Sequence, residues 1–312
     1  MFSLKVNKNN SLYLFFVALT FSVAVGAGLY GYGNDFYAAY YKNNVSWGGW
    51  RDLLGWRIST LTIFNAHVGV YVTSFILVWS TGFLLRESMY LKSIRSPLFF
   101  VLMLIVFIHT WPIIMATSNA MRQGLSMSAI FLALVGFSHK KTFKTCLFSI
   151  LSIFLHKAGL FFACLIMGAF LLRKFNLRFP SHLILSAILA LSLYFIIPEI
   201  ISVEEETRII GGDYRIAFLS ISALFTVTCG YKKNFLNEGY NLFLFYSSVI
   251  LPIFYFHGLN WEYERMGMML LLPYIMSFSF IFTKKSSMWY FSFVSFFLLY
   301  LTIANGMYHS LV

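Results

Sequence analysis

"SIFLHKAGLFF", residues 152–162, sets His156 and Lys157 side by side in an apolar stretch. Charge-free apolar runs flank the pair, residues 145–155 before it and 158–172 after it. Two titratable groups add nothing to a core helix, and they are costly in a helix that faces lipid. Whether the pair sits inside one helix or at a turn between two decides the topology of the whole chain.

The surrounding sequence supplies the criterion. Of 312 residues, 59% are hydrophobic, 20% aromatic and only 11% charged, and the mean hydropathy is +0.76. Soluble domains carry about 25% charged residues. The composition therefore reads as an all-α polytopic membrane protein. Long runs without Lys, Arg, Asp or Glu recur along it, among them 9–34, 58–85, 96–121, 123–138, 179–198, 239–261 and 286–312. The first of these is too long for a signal-peptide core and lacks a small-x-small cleavage site, so it reads as a retained first helix.

A formal net charge of +12 in a soluble chain would point to nucleic acid. In a membrane chain it is explained by Lys and Arg collecting in cytoplasmic loops, so no nucleic-acid partner is expected. Cys146, Cys164 and Cys229 form no CxxC and no metal-spaced pair with His. They read as small buried apolar residues; no disulfide, metal or other cofactor is expected.

Loop charge then orients the chain. With the N-terminus in the cytoplasm and sides alternating at each run, 15 cations fall inside and 8 outside, whereas 2 acids fall inside and 9 outside. The positive-inside rule then holds at every loop. It holds only if the chain crosses twice between "HKKTFK" and "RKFNLR", with His156 and Lys157 at the turn. Each arm has roughly 14 residues, about 21 Å of helix, short of the roughly 30 Å hydrocarbon core. The turn is therefore expected below the outer surface, which is tolerated where backbone is buried in protein or lines a wet cavity. The expectation is about eleven transmembrane helices, two of them short, with the C-terminus outside. No internal repeat or linker divides residues 1–312, which read as one helical domain with outer loops at about 34–65, 199–215 and 257–265.

The outer cations differ in kind from the inner ones. Outside lie Arg51, Arg57, Arg122, Arg208, Arg215 and Arg265 with only two Lys; inside, Lys predominates. Orientation needs positive charge alone, so it does not explain the switch. Arg grips phosphate with a planar fork, which suggests an anionic, phosphorylated ligand. Arg122, in "SNAMRQGLSMS" beside Gln123, stands at the start of a helix whose first amides would add to an anion site. Against this stand a snorkelling Arg and pairing of the other Arg with outer acids. Lys157 reads as an anion ligand, and His156 as a ligand or proton acceptor; the bland alternative is a polar turn. "HGLNWEYERMGM" offers His257, Glu262, Glu264 and Arg265, with Glu262 and Arg265 spaced to pair on one helix face. "GYGNDFYAAYYKN" places Asp35 among tyrosines that suit either sugar rings or the interfacial aromatic belt. "WGGWRDLLGWR" reads as a short surface helix, and Gly211–Gly212 as the hinge of a lid.

Taken together, "GYGNDFYAAYY", "NAMRQGLSMSAIFLAL", "FLHKAGLFF" and "YERMGMMLLLPYIM" resemble, in order and spacing, the EpsG-like, Wzy-type polysaccharide polymerases of bacterial inner membranes. One departure is that the Arg which often precedes the Gly-x-Asp-Tyr segment in that family is missing here. The resemblance implies a fold similar to the GT-C lipid-dependent glycosyltransferases. It also implies an inverting polymerase of O-antigen, capsule or other surface polysaccharide. Donor and acceptor would both be undecaprenyl-pyrophosphate-linked oligosaccharides, met at the outer leaflet in contact with membrane lipid, with a chain-length regulator as a possible partner. On that reading Arg122, Gln123, Lys157, Arg265, Arg57, Arg51 and Arg215 bind pyrophosphate or glycan, and Asp35, His156 and Glu264 are candidates for the base. An O-antigen ligase and a transporter of an anionic or lipid-linked solute are the alternatives.

Overall fold

The computed structural model describes residues 8–33, 36–41, 66–200, 215–232 and 234–304, and all regular structure among them is helical. The chain begins with α1 (Lys8–Gly26), a π-helical turn (Phe36–Tyr41), α2 (Ala66–Leu91) and α3 (Pro97–Ile108). A short α4 (Trp111–Ile114) then runs into a second π-helical turn (Met115–Asn119), followed by α5 (Met121–Ser138), α6 (Thr142–Leu155) and α7 (Lys157–Leu172). The remainder is α8 (Phe179–Ile200), α9 (Arg215–Tyr231), α10 (Asn241–Ile250), α11 (Pro252–Phe256), α12 (Asn260–Phe278) and α13 (Lys284–Ala304).

Lipid offers backbone groups no hydrogen-bond partners, so apolar runs of this length must satisfy themselves as helices. Hydroxyls follow the same rule. Ser88 donates to Leu84 O at 3.0 Å, Ser128 to Gly124 O at 2.8 Å and Ser248 to Leu244 O at 2.8 Å, each one turn back along its own helix.

Among the described residues, five helices are long and apolar enough to cross a membrane: α2, α5, α7 with its 3-10 extension to Phe175, α8 and α13. A sixth span results if α3 and the segment Trp111–Thr117 count together across their 65° bend. The bend falls at Thr110, where the chain turns extended before Pro112 starts the second piece. Four further apolar helices are only 10–17 residues long. By length and composition, five or six spans therefore stand among the described residues. The shorter helices gain their stability from neighbours rather than from length, and α12 carries three charged groups in its first two turns.

The spans differ in how they are used. The best window of α5 is 78% buried and that of α2 61%, against 22% for α13 and 11% for α8. α2 and α5 form the centre, and α8 and α13 present Phe195, Phe293 and their neighbours outward. Phe131, Phe137, Phe162, Phe225, Phe243 and Tyr240 fill the interior. An apolar rind around a polar-containing core is what lipid as solvent selects. Cys229 is buried but Cys164 is exposed, on the outward side of α7.

Residues 145–172 are two helices. His156 is extended (φ −163°, ψ 148°) and serves as the end of α6 and the cap of α7. The chain folds back there. Gly136, near the end of α5, lies against Thr145 near the start of α6, and Phe137 packs on Phe170 at the end of α7, ring centroids 5.6 Å apart. Ser152 and Gly159 touch across the turn; a Cβ at Gly159 would overlap the Ser152 carbonyl oxygen. The 3-10 turn Arg173–Phe175 lengthens the second arm to 19 residues, so only α6 stays short.

Alternating helices give the bundle two ends. At the basic end, Arg173 donates to the carbonyls of Phe137 (3.0 Å), Gly239 (3.1 Å) and Asn237 (3.1 Å). Lys92 donates to Phe280 O at 2.5 Å, and Lys232 donates to Ile281 O. His139 Nε2 meets Glu87 Oε2 at 2.7 Å. Cations whose only expected role was orientation thus also tie loops together. The hairpin end carries His156.

Candidate functional site

The site is built where α5, α7, α9 and α12 begin. His156 is 5% exposed. Its Nδ1 accepts the Ala158 amide at 3.2 Å and its carbonyl accepts the Gly159 amide at 2.8 Å. An imidazole whose Nδ1 accepts carries its proton on Nε2 when neutral. With Nδ1 so engaged, the donor that a neutral His156 offers is Nε2–H.

Arg122, Arg265 and Lys157 all lie within electrostatic reach of that imidazole. Arg122 sits in the first turn of α5, where its amide donates to Tyr40 Oη at 3.4 Å. Gln123, buried, donates from Nε2 to Arg265 O at 3.0 Å and so fixes the start of α5 against α12. Ser126 then donates to Ser152 O at 3.3 Å, holding α5 to the hairpin. Gly124 permits the approach of the preceding π-helical turn, since a Cβ there would overlap the Ala116 carbonyl. The first amides of α5 and α7 are engaged by Tyr40 and His156, so an anion here would be met by side-chain cations more than by helix amides.

The acidic partner is Glu264, 5% exposed, whose Oε1 lies 3.7 Å from Arg215 Nε. Glu262 and Arg265 are spaced to pair one turn apart. The fold also brings Arg215, 49 residues before Glu264 in sequence, to that carboxylate, because α9 packs along α12: Phe218 lies where a Cβ at Gly267 would be. Residues 257–265 are only briefly a loop; from Asn260 they are helix, and both Glu264 and Arg265 are held by it.

An apolar cavity of about 240 Å³ lies farther along α9 and α12, walled by Trp111, Phe218, Leu271, Leu298 and Leu301. Phe218, in its wall, is one turn along α9 from Arg215.

Of the expected site residues, Arg122, Gln123, His156, Lys157, Arg215, Glu264 and Arg265 come together. Asp35, Arg51 and Arg57 lie outside the described residues, as do the tryptophan-rich surface helix and the Gly211–Gly212 hinge. Among the described residues no group of three or more His, Cys, Asp or Glu is placed to hold a metal ion. Two participants escaped the sequence. Tyr40 was one tyrosine among several, and His67, whose ring lies 5.0 Å from those of both Tyr32 and Phe36, carried no motif. Compared with known protein families, characterised proteins and solved structures, the chain finds no match.

Proposed function

We propose that the protein polymerises a surface polysaccharide in a bacterial inner membrane. The growing glycan passes from undecaprenyl pyrophosphate to the non-reducing end of a lipid-linked repeat unit at the outer face. The observation that supports this is that Arg122, Arg265 and Lys157 all lie within electrostatic reach of one buried histidine. The anionic head of a lipid-linked substrate matches that cluster, and the apolar cavity farther along α9 and α12 suits its tail. In this reading eleven helical legs cross the membrane in an arrangement similar to GT-C enzymes, with the N-terminus cytoplasmic and the hairpin end outward.

The acceptor hydroxyl oxygen attacks the anomeric carbon; the bond from that carbon to the pyrophosphate oxygen breaks, and its electron pair leaves with pyrophosphate. Charge grows on that oxygen, and preorganised cations lower the barrier by meeting it there. Arg122 and Arg265 take this role with Lys157, and His156 adds an Nε2–H donor. The hydroxyl proton passes to a carboxylate. Glu264 is the one already within the cluster, and Asp35 is the second candidate. Attack opposite the leaving group inverts the anomeric centre.

The two broken elements, at His156 and at the 65° bend, also suit a transporter of an anionic solute. A deletion strain complemented with Arg122→Ala separates the readings. Single-repeat lipopolysaccharide or capsule product, at unchanged protein level, supports polymerisation. Normal chain lengths reject the site. Long carrier-bound polymer would instead mark a ligase, and lipid-independent uptake of a labelled anion into vesicles a transporter.

A further inference from the structure

The π-helical turn Phe36–Tyr41 faces two ways. Phe36 and Tyr40 point inward: Phe36 is fully buried, stacked on Tyr32 at 4.6 Å and 5.0 Å from His67, and Tyr40 is 4% exposed with Arg122's amide on its hydroxyl. Tyr37 and Tyr41 point outward, 48% and 57% exposed, with ring centroids 6.2 Å apart. His67 closes the group, 5.7 Å from Tyr41. Tyrosines of an interfacial belt float singly in the headgroup region. These are packed ring against ring and pinned through Tyr40 to the residue that heads the cation cluster.

We infer that Tyr37 and Tyr41, with His67 beside them, form a stacking subsite for a pyranose ring of the glycan, next to the pyrophosphate position. This rests on the polymerase reading and deepens it. A sugar has apolar C–H faces and a rim of hydroxyls. An exposed tyrosine offers a flat apolar face and a hydroxyl, and the imidazole adds a further polar edge.

The order of contacts supplies the second support. From Tyr37 and Tyr41 the chain of neighbours runs to Tyr40 and Arg122, through Gln123 to Arg265, on to Gly267 and Phe218, and into the apolar cavity. Sugar, pyrophosphate and lipid are joined in that same order in the substrate.

The test uses purified full-length protein in lipid nanodiscs with two probes, the repeat-unit oligosaccharide released from its carrier and inorganic pyrophosphate. The wild type should give a saturation-transfer NMR signal on the oligosaccharide. The double variant Tyr37→Ala/Tyr41→Ala should lose it and raise KM for the lipid-linked repeat about tenfold, with pyrophosphate binding unchanged. The double variant Tyr37→Phe/Tyr41→Phe, which keeps the faces, should retain most of the signal and shows that the turn still folds. Oligosaccharide binding by the Ala variant equal to wild type overturns the subsite. If wild type binds pyrophosphate but no oligosaccharide, the subsite fails while the anion site stands. If cells lacking the protein make normal polymer, the polymerase reading fails and the subsite falls with it.

Discussion

Arg173, at the basic end, spends its guanidinium on three backbone carbonyls, one at the end of α5 and two in the connection before α10, and it lies 5.2 Å over the Phe137 ring. Arg122 and Arg265, at the hairpin end, gather instead with Lys157 around a histidine. Both ends are rich in cations, but the arrangements differ in physical consequence. A cation that meets neutral carbonyls of its own chain is satisfied, and it stiffens what it touches. Cations gathered near one buried group, whatever else each touches, make a locally positive site that an entering anion would meet. The first arrangement stiffens the fold; the second concentrates charge. Substitutions at the basic end should therefore change folding, and substitutions at the hairpin end should change chemistry.

The widest separation should come from Arg122→Ala. Loss of one preorganised donor at a developing oxyanion lowers turnover roughly 10²–10³-fold. Arg122→Lys should recover part of this, since charge survives but the planar fork does not. Turnover per folded molecule in nanodiscs checks both. Equal activity of Arg122→Ala and wild type would erase the contrast between the ends.

The converse comes from Arg173→Ala. Buried carbonyls left without donors cost about 1–3 kcal/mol each where water cannot replace the lost bonds, and only part of that is expected at a partly exposed site. The thermal midpoint in detergent should fall by several degrees, while turnover per folded molecule stays near wild type. A loss of turnover with the midpoint unchanged would mean the basic end also takes part in chemistry.

A smaller effect tests the hairpin that carries His156. Gly159→Val should lower stability by the roughly 1–3 kcal/mol typical of overpacking, read as a lower thermal midpoint, because the new Cβ meets the Ser152 carbonyl. Gly168→Val, in the same helix with open space around it, is the control and should be nearly neutral. Equal behaviour of the two would mean that the arms do not touch at Ser152 and Gly159.

These contrasts were unequally legible in the sequence. The break at His156 could be read because loop charge has a parity, and one crossing too few puts a basic loop on the wrong side. Arg122 could be read because it stands alone between long apolar runs. The Arg215–Glu264 pair could not, since residues 49 apart meet only through the packing of α9 on α12. Nor could the role of Tyr40: a π-helical turn carries no sequence period of its own and arises from tertiary context. The carbonyl partners of Arg173, Lys92 and Lys232 were hidden for the same reason, because any loop offers carbonyls and only the fold selects which. Helix length was less legible than helix identity. A charge-free run states that a segment tolerates lipid, whereas its helix length is set by where neighbours cap and bend it.

The smallest expected effect sharpens the account of the basic end. Glu238, half-buried in the loop before α10, has its carboxyl raised above the usual carboxylate range by burial, with Lys92 and Lys232 pulling the other way. Burial in turn pulls the Lys92 ammonium below the usual lysine range, partly offset by Glu238. The sign follows from linkage. A carboxyl raised in the folded state favours folding while it is protonated, and that advantage is lost as pH rises through its folded-state value. Glu238→Gln removes the charged form. Below the carboxylate range the variant and wild type should therefore melt together, and toward neutral pH the variant should become the more stable by a degree or two. Melting curves of the detergent-solubilised protein from pH 4 to 7.5 check this. A variant that grows less stable than wild type as pH rises would mean that the attraction of Lys92 and Lys232 outweighs burial. Glu238 would then be part of the clamp that holds the basic end together.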